Sequence, residues 1–105
     1  MSTFKNPLEL LAQDPIQLSL ISAKSKLMII ATKLIREKRW TQAEAAQKLG
    51  ISQPRVSNLM NGQISKFSID MLLDILGKLG YLLNVSFDMD ESQSPINMEL
   101  KKTAV

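Results

Sequence analysis

An all-α bundle of four to five helices, finished by one C-terminal β-strand, is the fold this 105-residue sequence predicts. Three observations carry it. Apolar residues recur at helical spacing from Ile16 to Ile35 and again from Ile69 to Leu79. Between these stretches, residues 41–62 read TQAEAAQKLGISQPRVSNLMNG, two short helical patterns meeting at Gly50. From Tyr81 the apolar period changes to two, the period of a strand.

Taken in order, residues 1–13, MSTFKNPLELLAQ, form an N-terminal arm with a small apolar cluster of Leu8, Leu10 and Leu11. Both a frayed terminus and an arm that docks on a partner protein fit it. The folded domain is expected over residues 14–88, and it opens with Asp14 as helix cap, Pro15 at the first helical position and Gln17 completing a variant capping box. Ile16, Leu20, Ala23, Leu27, Ile30, Ala31, Leu34 and Ile35 then keep one helix running to about Lys38. Ser19, Ser22 and Ser25 weaken its middle, which permits a break near residues 22–25. The closing REKRW places cations where the helix dipole favours them, and Trp40 is expected under the following junction.

Thr41 and Glu44 have the spacing of a capping box, so a second helix starts there. Ala43, Ala45, Ala46 and Leu49 lead it to Gly50, the residue type best able to turn left-handed at a helix end. Ser52 caps a third helix with Pro54 in its first turn, while Ile51 and Val56 are spaced as a hydrophobic staple. Val56, Leu59 and Met60 face inward. The opposite face carries Gln53, Pro54, Arg55, Ser57, Asn58 and Asn61, side chains suited to base edges and phosphates and unsuited to a core. A merely solvated face would be rich in Lys and Glu, and this one has no acid. Residues 52–61, from Ser52 onward, are therefore expected to enter a DNA major groove, with Gln53 addressing adenine and Arg55 guanine or phosphate.

After a loop, QISKF, Ser68 caps a last helix, with Asp70 in its first turn and Phe67 and Leu72 as a second staple. Its buried face is expected to be Ile69, Leu72, Leu73, Leu76 and Leu79, with Gly77 marking close packing and Gly80 ending it. Residues 81–88 follow as a strand whose Tyr81, Leu83, Val85 and Phe87 share one face. Nothing else reads as a strand, so its backbone groups call for a partner from a second copy, and these four residues are assigned to dimerisation. Residues 89–105 mix acids, Ser, Pro and isolated apolar side chains and are expected to be a flexible tail.

Composition narrows the function. Without cysteine or histidine there is no disulfide, no thiolate or imidazole metal site and no usual general base, so no enzyme, catalytic residue, metal or other cofactor is expected. No apolar run is long enough to span a membrane, and residues 1–20 lack a signal-peptide pattern, which leads us to expect a cytoplasmic protein with no small-molecule substrate. The net charge of +3 hides a division: residues 24–66 carry nine basic groups against two acids, the remainder four against eight. Positive charge thus gathers around the paired short helices, as phosphate binding requires.

The string TQAEAA, then LGISQ, Val56, Leu59 and Asn61-Gly62, resembles the Cro and lambda-type repressor superfamily, the Xre family. Followed by KFSIDMLLDILGKLGY, it resembles the subgroup that holds HigA-type antitoxins, over roughly residues 15–88. Ala45 departs from the wider superfamily, which commonly has a larger aliphatic there. The resemblance implies a lambda-repressor-like fold and a homodimeric transcriptional repressor on a palindromic double-stranded operator. It further implies phosphate contacts from Gln42, Asn61 and Lys66, and a cognate ribonuclease toxin as partner. Two other readings fit the sequence: a stand-alone regulator without a toxin, and a protein-interaction module that has lost DNA binding.

Overall fold

The computed structural model describes residues 14–103, so the arm expected at 1–13 lies outside the described residues. Four α-helices come first: α1 (Pro15–Lys38), α2 (Gln42–Leu49), α3 (Gln53–Met60) and, after a 3-10 turn at Ile64–Lys66, α4 (Ile69–Lys78). Two strands follow, β1 (Tyr81–Phe87) and β2 (Ile96–Lys102). Each helix starts where its cap predicts. Asp14 accepts from the N–H groups of Ile16 and Gln17, Thr41 from Glu44, Ser52 from Arg55 and Ser68 from Met71. The first helix runs unbroken through its serines and stops at Arg39, whose φ of 57° is left-handed without the help of glycine.

The core lies where α1, α2, α3 and α4 meet. Met28, Ala31 and Ile35 of α1 pack on Ala45, Ala46 and Leu49 of α2, on Val56 and Leu59 of α3, and on Phe67, Leu72, Ile75, Leu76 and Leu79. All of these are apolar, and among the described residues no polar side chain is buried. Ala45 is 1% exposed, so its small side chain leaves no opening to solvent. The buried face of α4 differs from the expected one. Ile75 is buried, whereas Ile69 and Leu73 are half-buried and turn toward a groove beside the strands. Gly77 does not mark close packing either: a methyl group built there would meet Leu82 Cδ2 at 3.9 Å, an ordinary contact.

The C-terminal region corrects the sequence reading. Residues 96–102, expected within a flexible tail, form β2, and β1 takes this strand of its own chain as antiparallel partner, with Tyr81 opposite Lys102 and Phe87 opposite Ile96. The fold is therefore helical with a two-stranded sheet, and β1 finds its backbone partner within its own chain. Alternation had been present in Ile96, Met98 and Leu100, but Asn, Glu and Lys between them are poor strand formers, and only pairing with β1 makes the segment extended. Asp88 N–H to the Pro95 carbonyl at 2.7 Å closes the tip, and Thr103 N–H to the Gly80 carbonyl at 2.7 Å closes the base. Directly opposed residues share a face, so Tyr81, Leu83, Val85 and Phe87 join Ile96, Met98 and Leu100 in one apolar surface. The other face carries Asn84, Ser86, Asn97 and Glu99.

Gly77→Ala is expected to raise the stability of the chain by about 1 kcal/mol, because the position is helical and has room for a methyl group. Urea denaturation followed by circular dichroism reads the change, and a lowered midpoint would show that the backbone there needs glycine.

Candidate nucleic-acid interface

Two short helices and one turn position the polar face. Gly50 takes φ 67° and sends its N–H back to the Ala46 carbonyl, so α2 ends abruptly and the chain reverses into the Ser52 cap. Ala45 and Ala46 present only methyl groups at the crossing, which brings α3 close to α2. Val56 and Leu59, each 1% exposed, hold α3 by one side. Side chains on its opposite side are therefore presented outward.

The predicted residues divide by position. Ser52, Gln53, Pro54 and Asn61 are exposed, and Ser57 and Asn58 are half-exposed beside them. Together they form one continuous polar strip along α3, with Asn61 Nδ2 donating to Ser57 Oγ at 3.4 Å. Arg55 sits apart from it. Its guanidinium lies 5.8 Å from the Phe67 ring centre, with Nη1 3.6 Å from Met71 Sδ, in a crevice rimmed by Ile51, Asp70 and Asp74. At 3.6 residues per turn Arg55 falls between the buried and polar faces, and its guanidinium lies on the Phe67 and Met71 side. Sequence spacing alone did not separate it from Gln53.

Two further groups expected at the interface are exposed. Gln42 stands exposed at the first position of α2, whose amide groups point outward at a helix N-terminus. Lys66 is exposed at the end of the 3-10 turn after α3, beside exposed Gln63 and Ser65, two polar residues the sequence reading passed over because it took this stretch as irregular loop. On the far side, Lys33 and Arg36 of α1 line a shallow groove of about 400 Å³ with Met60, Gly62 and Ile64. These cations gather around the C-terminal end of α3 and the turn that follows it.

The α2 terminus is fixed electrostatically. Glu44 Oε1 accepts the Thr41 N–H at 2.9 Å while Thr41 Oγ1 accepts the Glu44 N–H at 3.1 Å. The Thr41 backbone N–H first, and the Thr41 hydroxyl second, hold the Glu44 carboxyl below its ordinary value, with Lys48 adding to the effect.

Comparison with known proteins agrees with this geometry. A helix-turn-helix domain family model matches residues 13–88. A solved structure provisionally described as an XRE family transcriptional regulator is 28% identical, aligns with a TM-score of 0.60, and covers 82% of this chain and 92% of its own. No curated protein matches the chain.

Because the Glu44 pKa is lower in the folded chain than in the unfolded one, the capping box contributes stability above the ordinary carboxylate pKa and loses it as pH falls through the lowered value. The thermal midpoint of the native chain should therefore decline toward acid more steeply than that of Glu44→Gln, which keeps an acceptor but cannot titrate. Parallel curves for the two proteins would remove Glu44 from the acid response.

Proposed function

We propose a function from one premise: the chain belongs to the helix-turn-helix domain family that matches residues 13–88. It is a sequence-specific DNA-binding transcriptional regulator. The observation that carries the reading is the acid-free strip of Gln53, Pro54, Ser57, Asn58 and Asn61 on a helix held from behind by Val56 and Leu59. Such a helix fits the major groove, where Gln53 can pair with adenine through two hydrogen bonds. Gln42, Asn61 and Lys66 take phosphates on either side and fix the register. Arg55, on leaving its place against Phe67, takes guanine or phosphate. Acting in the cytoplasm, it represses by occupying the promoter.

One recognition helix reads only a few base pairs, so useful specificity needs a homodimer on a palindromic operator, its half-sites about one helical turn or roughly 34 Å apart. Tyr81, Leu83, Val85 and Phe87 supply the contact, the last three being exposed apolar side chains on one strand. The resemblance of residues 15–88 to HigA-type antitoxins supports a finer assignment: the repressor also neutralises a ribonuclease toxin encoded beside it, and controls their shared operon. A toxin-like reading frame next to the gene supports that assignment, and its absence leaves a stand-alone regulator.

Gel shift of the chain's own promoter fragment at two or more salt concentrations tests the DNA reading. Binding should weaken steeply with salt, Lys66→Ala should flatten the slope by about one unit, and Gln53→Ala should change base preference at one position of each half-site. Failure to retain any fragment from a random duplex library, even at low salt, would leave a protein-interaction module instead.

A further inference from the structure

One apolar surface has no place in the helix-turn-helix. The buried residues of α1 begin only at Met28, so its first three turns project past the core, alongside the hairpin of β1 and β2. Between them opens a groove of about 490 Å³, lined by Leu20, Leu27, Ile69, Leu73, Leu83 and Met98. Its filling is incomplete: Leu20 is 43% exposed and Met98 63%. At the hairpin tip the same sheet face has no cover, with Phe87 and Ile96 each 65% exposed. An underfilled apolar groove and an uncovered apolar tip therefore lie on one face of one molecule.

Symmetry relates the two. Leu83 at the groove and Phe87 at the tip are four residues apart on β1, roughly 13 Å at about 3.3 Å per residue. A twofold axis midway between them lays the tip of each copy over the groove of the other, and makes the contact twice. The area suffices. Exposed surface on Leu20, Leu83, Val85, Phe87, Ile96 and Met98 is on the order of 700 Å² per copy, close to the ~800 Å² that each partner gives to a standard interface. At the rim Lys26 is the one cation of the groove lining and is available to the acids Asp88, Asp90 and Glu91 of an incoming tip, while Glu99, the one acid of the lining, is paired with Lys101.

We propose that a second copy of this chain is the occupant, the hairpin tip of each protomer seating in the groove between α1, α4 and the hairpin of its partner. This rests on the homodimer reading above and adds to it the surface that receives the strand.

Native mass spectrometry of the full chain at about ten micromolar, a range suited to stable dimers, tests it with Phe87→Glu, Leu20→Lys and an equimolar mixture of the two. Both positions are exposed, and unchanged circular dichroism confirms that each variant folds. The native chain should be dimeric, each variant alone should dissociate at least tenfold more readily, and the mixture should recover a heterodimer. In that heterodimer one tip and groove are native, and in the other the introduced carboxylate meets the introduced ammonium. A monomeric native chain would overturn both the dimer and this contact. A native dimer that Leu20→Lys leaves as tight as before would keep the dimer and overturn the groove as its seat, giving the groove to residues 1–13 or to another protein. Two weakened variants with no recovery on mixing would mean that tip meets tip, which also overturns the proposal.

Discussion

Presentation of the polar strip depends on one backbone conformation. Gly50 at φ 67° ends α2 and begins the reversal into α3 within two residues of the next cap. A side chain there would oppose the left-handed region, at about 1 kcal/mol or more. Were α2 to continue one residue further, α3 would leave the core at a different angle, and Val56 and Leu59 could not both be buried. Ser52 caps the first amides of α3 directly after the turn, as Thr41 caps those of α2 at its other end. Two small side chains, Ala45 and Ala46, let the helices cross close enough for this short turn to connect them.

Most of the helical layout was legible because caps, staples and glycine are local signals. Asp14, Thr41, Ser52 and Ser68 each bond the amides that their positions predict, and Gly50 turns as expected. What was missed depends on contacts distant in sequence. β2 is a strand because β1 lies beside it, and INMELKK alone has weak strand preference. Ile69 and Leu73 follow the helical period of α4 as well as Ile75 does. Only the placement of the hairpin decides which of them meets the core and which lines a groove. Arg55 is similar. Its spacing puts it near the strip, and Phe67, twelve residues away, draws its guanidinium to one side. Arg39 ends α1 left-handed with no residue type to announce it.

The interface residues stand on less than the fold. Composition, exposure and position single out Gln53, Ser57, Asn58 and Asn61 as a strip without acids, yet which base each meets depends on the duplex. Gln42 and Lys66 were assigned through resemblance, and both are exposed. Charge distribution speaks to affinity more than to specificity. Lys33, Arg36 and Lys66 would act on any phosphate backbone within reach.

The division of the chain between bundle and hairpin also orders events in time. Every fully buried side chain lies at or before Leu79, whereas β1 and β2 occupy only later residues. Synthesis runs from the N-terminus at about 5–20 residues per second, so the whole core is made before β2 exists to pair with β1. The side chains that support α3 thus all belong to the part of the chain made first. Filling of the helical interior is thereby separable from pairing of the hairpin, since the buried side chains come from one part of the chain and the strands from another.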